Sequence, residues 1–133
     1  MARGFAVNVL LDTCALLWLA SGDRKLSKQA HKRICEAPIA YVSAISGFEI
    51  SLKYRKGNLH LPAEPVEWFS TIVEHHGLTV IPLDYADAIQ APLLPEVHRD
   101  PCDRFILAAA LRMNLPVATA DTHFKEYGIE VFC

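Results

Sequence analysis

Residues 5 to 13 read Phe-Ala-Val-Asn-Val-Leu-Leu-Asp-Thr. The run from Phe5 to Leu11 is short, aliphatic and β-branched, which favours a strand buried in a parallel sheet. It ends at Asp12, and the segment from Thr13 to Ala20 that follows is apolar nearly all round, which predicts an internal helix. Asp12 is therefore expected to lie at the carboxyl end of the strand, directly before the first helix.

The rest of the chain repeats this alternation. Further strands are predicted at 39–42, 78–83, 117–119 and 130–132. Further helices are predicted from about Ser27 to the break at Pro38, and at 46–56, 66–75, 85–90 and 102–113. Strands that alternate with helices favour an α/β fold, a three-layer α/β/α sandwich with a central, mostly parallel sheet and right-handed crossovers.

Length and composition fit one folded unit. A chain of 133 residues predicts a single domain over 1–133. Apolar residues make up 52% and charged residues 21%, which excludes a disordered protein.

The charge is unevenly distributed. The net charge is −2, yet positions 24 to 56 hold eight basic residues against two acidic ones. Lys25, Lys28 and Lys32 are expected to form a basic stripe on one helix. Such a stripe is either a solvated face or a surface that attracts nucleic acid towards an acidic pocket.

The cysteines and the apolar segments indicate in which compartment of the cell the protein is expected. Cys14, Cys35, Cys102 and Cys133 show no metal-binding or disulfide spacing, and free thiols predict small core residues in a reducing cytoplasm. A secretion signal after Arg3 is rejected because Asn8 and Asp12 interrupt the apolar stretch. No other segment is long enough to cross a membrane.

Carboxylates recur where predicted strands hand over to helices. Four of them take such positions: Asp12, Glu49, Asp103 and Asp121. Each has a structural explanation. Asp12 and Asp121 fit helix caps, and Ser46 with Glu49 fits a capping box. Asp103 follows the helix start that Asp100-Pro101 predicts.

Together these acids predict a metal site. In open parallel sheets ligands bind outside the carboxyl ends of the strands, where all four acids are expected. Caps alone could have been Ser, Thr or Asn, whereas all four positions carry a carboxylate. Such a cluster repels itself and needs a divalent cation, and oxygen ligands suit Mg²⁺ or Mn²⁺, which bridge to substrate phosphate. The sequence therefore predicts metal-dependent phosphoryl chemistry.

The segments around the acids resemble the ordered motifs of PIN-domain ribonucleases, and among those the VapC-type toxins of toxin–antitoxin operons. The matching segments are Val-Leu-Leu-Asp-Thr at 9–13, Ser-Gly-Phe-Glu-Ile at 46–50 followed by Lys53, His-Arg-Asp-Pro-Cys-Asp-Arg at 98–104, and Thr-Ala-Asp at 119–121. The resemblance covers nearly the whole chain, and the block at 98–104 is its most specific part. Phe48 replaces an expected Trp and Cys102 an expected aromatic residue, but neither change removes a carboxylate.

This resemblance implies a Mg²⁺- or Mn²⁺-dependent endoribonuclease whose metal-binding acids are Asp12, Glu49, Asp103 and Asp121. It implies a structured RNA substrate such as tRNA or rRNA, cut in an exposed single-stranded loop. It also implies a cognate antitoxin that covers the site, and a homodimer. A histidine general base is not required, because the cation makes water more acidic.

Other polar residues near the acids are weaker candidates. Asp100 is expected to cap a helix, with a supporting role beside the metal as the alternative. Arg104 could orient a carboxylate or touch phosphate, or lie on a surface or interface. Thr13 and Thr119 could hydrogen-bond water around the metal. The histidines lack metal-ligand spacing and are expected to be solvated or capping: His60, His75, His76, His98 and His123.

Two other functions compete with the nuclease. A phosphatase or phosphoacceptor domain would use Asp12 as nucleophile, but Cys14 stands where haloacid-dehalogenase-like enzymes need a second Asp. Receiver domains need paired acids near the first strand and a lysine after the last, and neither occurs. The remaining alternative is an inert RNA- or protein-binding module, against which the presence of all four acids argues.

Overall fold

The fold is known from a computed structural model that describes residues 6–133. Within these residues, five strands form one sheet in the order β3-β2-β1-β4-β5, and every neighbouring pair is parallel. The strands are β1 (Val9–Leu11), β2 (Ala40–Ser43), β3 (Thr79–Ile81), β4 (Val117–Ala118) and β5 (Val131–Phe132). The predicted α/β sandwich is confirmed. The expected start of β1 at Phe5 lies outside the described residues.

Helices connect the strands and cover both faces of the sheet. They are α1 (Thr13–Ser21), α2 (Lys28–Glu36), α3 (Ala44–Arg55), α4 (Pro65–His75), α5 (Tyr85–Gln90) and α6 (Pro101–Met113). Two short 3₁₀ helices span Ala91–Leu93 and Thr122–Tyr127. Among the described residues, no helix has the length and apolar character needed to cross a bilayer.

The central strand is buried from both sides. Val9 and Leu11 belong to a cluster formed with residues of α1, α2 and α4, whereas Leu10 packs in the opposite cluster, built largely from α6. Successive side chains of a strand point to opposite faces, so one short strand serves both layers. The backbone that carries Asp12 is therefore fixed by apolar packing above and below.

The cysteines depart from expectation. Cys14 and Cys35 are exposed and Cys102 and Cys133 are partly buried, all as free thiols. Cys14 and Cys35 are therefore not the small core residues predicted, whereas Cys102 and Cys133 pack against the two apolar clusters at their margins.

Candidate metal centre

Asp12 lies at the carboxyl end of β1 and caps α1, as expected. Its Oδ1 accepts a hydrogen bond of 2.8 Å from the amide of Ala15. The residue is only 6% exposed. This burial raises the pKa of Asp12, opposed by hydrogen bonds from the Thr119 side chain and the Ala15 amide, while the nearby carboxylates of Glu49 and Asp121 raise it further. Capping and membership of an acid cluster are thus combined in one residue.

Glu49 is not part of a capping box, and that expectation is wrong. Helix α3 begins at Ala44, capped by Ser43, whose Oγ accepts from the amide of Ile45 at 3.1 Å. Ser46 instead lies inside the helix, where its Oγ is 2.8 Å from Oγ1 of Thr13. This buried bond ties α3 to α1 and sets the position of Glu49 beside Asp12.

One oxygen of Glu49 lacks a partner. Oε2 forms an ion pair of 3.0 Å with Nζ of Lys53, one helical turn further on. Oε1 is buried and has no hydrogen-bond partner among the described residues. A buried carboxylate oxygen without a partner is costly, since it has lost its hydration without compensation. A bound cation would supply the partner that this oxygen lacks.

Asp103 and Asp121 meet around a histidine. Nε2 of His98 lies 2.6 Å from Oδ2 of Asp121 and 3.0 Å from Oδ2 of Asp103. One ligand-type atom from each of the three residues falls within 4.8 Å of the others, a spacing that suits a metal ion. The other oxygen of Asp121, Oδ1, accepts from the amide of His123 at 2.9 Å and lies 2.8 Å from its Nδ1.

The surroundings shift the pKa values of Asp103 and Asp121 in opposite directions. Burial raises the pKa of Asp103 to about 7, the charge of Asp100 adds to the rise, and His98 counteracts it. For Asp121, burial acts in the same upward direction but is outweighed. Hydrogen bonds from the amide and ring of His123 and from His98 lower its pKa. Asp121 is therefore held ionised, whereas Asp103 retains a proton until near neutral pH.

These effects link all four predicted acids. The pKa of Asp12 responds to Glu49 and Asp121, and that of Asp103 responds to Glu49 and Asp12. The chain therefore brings the four carboxylates into one electrostatic cluster at the carboxyl edge of β1 and β4. A cluster of oxygen donors, mutually repelling and including a buried unpartnered oxygen, fits a divalent cation of the Mg²⁺ or Mn²⁺ type.

Three of the weaker candidates lie around this cluster. Thr13 is buried and bonded to Ser46. Thr119 accepts the amide of Asp121 on its Oγ1 at 2.9 Å. Asp100 caps α6 as predicted, its Oδ1 accepting from the amides of Cys102 at 2.8 Å and Asp103 at 3.3 Å. All three shape the backbone that presents the acids.

Arg104 has a different role from either expected one. It is 8% exposed, and its guanidinium donates to the backbone carbonyls of Ala91, Pro92, Leu94, Pro95 and His98. It is neither a surface arginine nor paired with a carboxylate among the described residues. Arg104 holds the loop between α5 and α6, which carries His98, in a fixed conformation.

The histidine expectation is wrong for His98. Its side chain is only 13% exposed and contacts two of the four acids, and His123 contacts Asp121 as well. The spacing of residues along the sequence could not reveal the contacts of His98 with the acids, because His98 lies in a loop. The available signal was the position of His98 at the start of the most specific motif, five residues before Asp103.

Comparison with known proteins places this geometry in a family. The sequence profile of the PIN domain matches residues 9–130. The chain belongs to the PIN domain family. PIN domains are generally nucleases. Among curated proteins, no sequence matches this PIN domain with significance.

Solved structures share the fold. One chain of the structure of VapBC2 from Rickettsia felis, bound to a DNA fragment from its promoter, is similar with a TM-score of 0.70 and 12% identity, over 95% of this PIN domain and 98% of that chain. A toxin–antitoxin complex from Klebsiella pneumoniae has 25% identity and a TM-score of 0.60, over 86% and 87%. FitAcB from Neisseria gonorrhoeae has 25% identity and a TM-score of 0.55, over 94% and 96%.

Proposed function

We propose that this PIN domain is a metal-dependent endoribonuclease, the toxin of a type II toxin–antitoxin pair. Asp12, Glu49, Asp103 and Asp121 would hold Mg²⁺ or Mn²⁺. The observation that carries the proposal is the buried Glu49 Oε1, which has no hydrogen-bond partner within a cluster of four acids. Family membership supports nuclease chemistry, and with it the phosphodiester bond as the bond that is cut.

The side chains prepare the site for this chemistry in different ways. When bound, a divalent cation supplies a more acidic water as nucleophile and stabilises negative charge on the phosphate. Asp121 is already ionised, owing to its hydrogen bonds from two histidines. Asp103 must release its proton to act as a ligand, so protons compete with the cation for this carboxylate below neutral pH. Lys53, beside Glu49, is placed to attract phosphate.

The proposed partners follow from the relatives. The similar solved structures include a toxin–antitoxin complex, which supports an antitoxin as partner, and we propose that this antitoxin covers the site. We extend the proposal to a single nuclease domain that forms a homodimer in the cytoplasm, where its free cysteines remain reduced. The substrate would be a structured RNA such as tRNA or rRNA, cut in an exposed loop.

Cleavage of purified total RNA tests the proposal. Wild-type protein should cut RNA with Mg²⁺ or Mn²⁺ and lose this activity in EDTA, and Asp12→Asn should be inactive while remaining folded. Asp84→Asn is a matched control, because Asp84 also caps a helix, accepting from the amide of Ala86 at 2.7 Å, but lies outside the cluster. Cleavage that persists in EDTA, or in Asp12→Asn, would contradict the proposal.

A further inference from the structure

Contacts other than those with the acids hold the backbone and the ring of His98 in place. Its amide donates to the hydroxyl of Tyr127 at 2.8 Å, and its carbonyl accepts from Arg104 at 2.6 Å. Its ring stands edge-on to Phe124, with 5.9 Å between ring centroids, and Phe124 is fully buried. A side chain held in this way has one orientation, so the direction of its ring nitrogens has chemical meaning.

The hydrogen bond at Nδ1 determines where the ring proton lies. The amide of Asp100 donates to Nδ1 of His98 at 3.2 Å. A nitrogen that accepts a hydrogen bond carries no proton, so the proton of the neutral ring is on Nε2. Nε2 therefore donates, and its acceptor is Oδ2 of Asp121 at 2.6 Å. Oδ2 of Asp103 lies 3.0 Å from the same nitrogen, as a charge contact rather than a second hydrogen bond.

The same bond argues against His98 as a metal ligand, although its distances to Asp103 and Asp121 suit one. A metal ion bound at Nε2 would need the lone pair there and would leave the ring proton on Nδ1. That proton would face the amide hydrogen of Asp100, so two donors would oppose each other across 3.2 Å. The fixed backbone around His98 leaves little room to relieve this clash.

We propose that His98 is a positioning residue whose Nε2–H donates to Asp121 beside Asp103 and keeps both carboxylates in place for a divalent cation, without binding the cation itself. The inference rests on the proposed function, since it takes these two acids as metal ligands. Residues that orient ligands in this way matter nearly as much as the ligands, and losing one typically weakens metal binding about ten- to a hundredfold.

Three variants distinguish the hydrogen bond donated by His98 Nε2 from a purely packing role of its ring. His98→Gln keeps an amide N–H near the position of Nε2, His98→Asn supplies groups only near Nδ1, and His60→Gln changes an exposed histidine outside the cluster. Mn²⁺ affinity should fall about ten- to a hundredfold in His98→Asn and stay within about threefold of wild type in His98→Gln. The control should match wild type. Equal losses in the Gln and Asn variants, or no loss in either, would overturn the proposal.

Pulsed electron paramagnetic resonance of the Mn²⁺ complex separates a positioning role from a ligand role. We expect no directly coordinated ¹⁴N in wild type, and a nitrogen coupling that disappears in His98→Gln would overturn the proposal. If wild type binds no Mn²⁺, the proposed function fails, and ¹⁵N NMR of the EDTA-treated protein still decides the question for His98. A proton on Nε2 with a bare Nδ1 supports donation from Nε2 to Asp121; the opposite tautomer contradicts it.

Discussion

The two halves of the acid cluster are stabilised in different ways. Asp12 and Glu49, on the side of β1 and α3, are held by burial and by a bond between their helices, and Glu49 keeps an oxygen without a partner. Asp103 and Asp121, on the side of α6 and β4, both lie within 3.0 Å of Nε2 of His98, which donates to Asp121. In the first half, the side chains are held in position but the negative charge of Glu49 is only partly neutralised. In the second half, hydrogen bonds from histidines partly compensate the negative charge.

This difference shows how a fold keeps like charges together. A buried carboxylate costs stability unless it gains hydrogen bonds, a cation or a proton. The second half uses hydrogen bonds on Asp121 and a retained proton on Asp103. In the first half, Asp12 accepts a hydrogen bond from the Ala15 amide, whereas Glu49 has Lys53 on one oxygen only. The strongest requirement for a cation therefore lies at Glu49.

Glu49→Gln should have the largest effect, because it removes the negative charge of the carboxylate that most needs a cation. RNA cleavage should fall by orders of magnitude, as expected when an anionic ligand is lost. Thermal stability in EDTA should be unchanged or higher, since a buried repulsive charge disappears.

Glu36→Gln is the matched control for that change. Glu36 also pairs with a lysine one turn away, Lys32, at 3.9 Å, but on an exposed helix face. Its loss should leave cleavage unchanged, because exposed pairs contribute little. If Glu49→Gln cleaves RNA as fast as Glu36→Gln, the two halves do not differ as described.

Arg104→Met should destabilise the second half. It leaves the carbonyls of the loop before α6 without their guanidinium partner. The free energy of unfolding in urea should fall by on the order of 3 kcal/mol, since buried polar groups lose charged hydrogen bonds. Arg24→Met, an exposed arginine, is the control and should change it little. Equal stability of the two variants would remove the role assigned to Arg104.

Asp103 should impose a pH dependence on the EDTA-treated protein. Its pKa is about 7 in the folded state against 3.8 for an ordinary Asp, so between these values the folded protein binds more protons than the unfolded one. Stability should therefore decrease as pH rises from about 4 to about 7. Asp103→Asn should flatten this slope, leaving a weaker decline from Asp12, whose pKa is also raised. Thermal unfolding in EDTA across this range is the measurement, and an unchanged slope in Asp103→Asn would contradict the assignment.

Neutralising the basic stripe on and before α2 should have the smallest effect. Lys25, Lys28 and Lys32 are exposed and lie outside the cluster. Replacing all three with Gln should weaken RNA binding and lower the salt slope by about 0.7 per lost phosphate contact. Cleavage at saturating RNA should hold. A Lys→Arg triple variant keeps the charge and serves as control. An unchanged salt slope would make the stripe a solvated face.

The sequence predicted the sheet and the meeting of the acids, because buried strands and the order of strand and helix determine which edge each acid reaches. It placed the start of α3 wrongly. Ser43 and Ser46 are both good caps, and only the length of β2 and the contact of Ser46 with Thr13 decide between them. Local propensity carries no information on either.

His98 and Arg104 could not be placed from the sequence for a related reason. Both act through an irregular loop whose conformation depends on contacts between distant residues, such as Arg104 with Ala91 and His98 with Asp121. Periodicity describes helices and strands and has no counterpart in such a loop. The motif that contains both residues marks the site but does not give the direction of a side chain.

The most direct test of the metal site is thermal unfolding with and without Mn²⁺ for wild type and four single variants: Asp12→Asn, Glu49→Gln, Asp103→Asn and Asp121→Asn. A ligand that binds only the folded state raises its stability, so Mn²⁺ should raise the wild-type Tm. Each variant should lose most of that rise, and Glu49→Gln should lose it without a lower Tm in EDTA. A Tm rise of equal size in wild type and all four variants would contradict a cation held by this cluster.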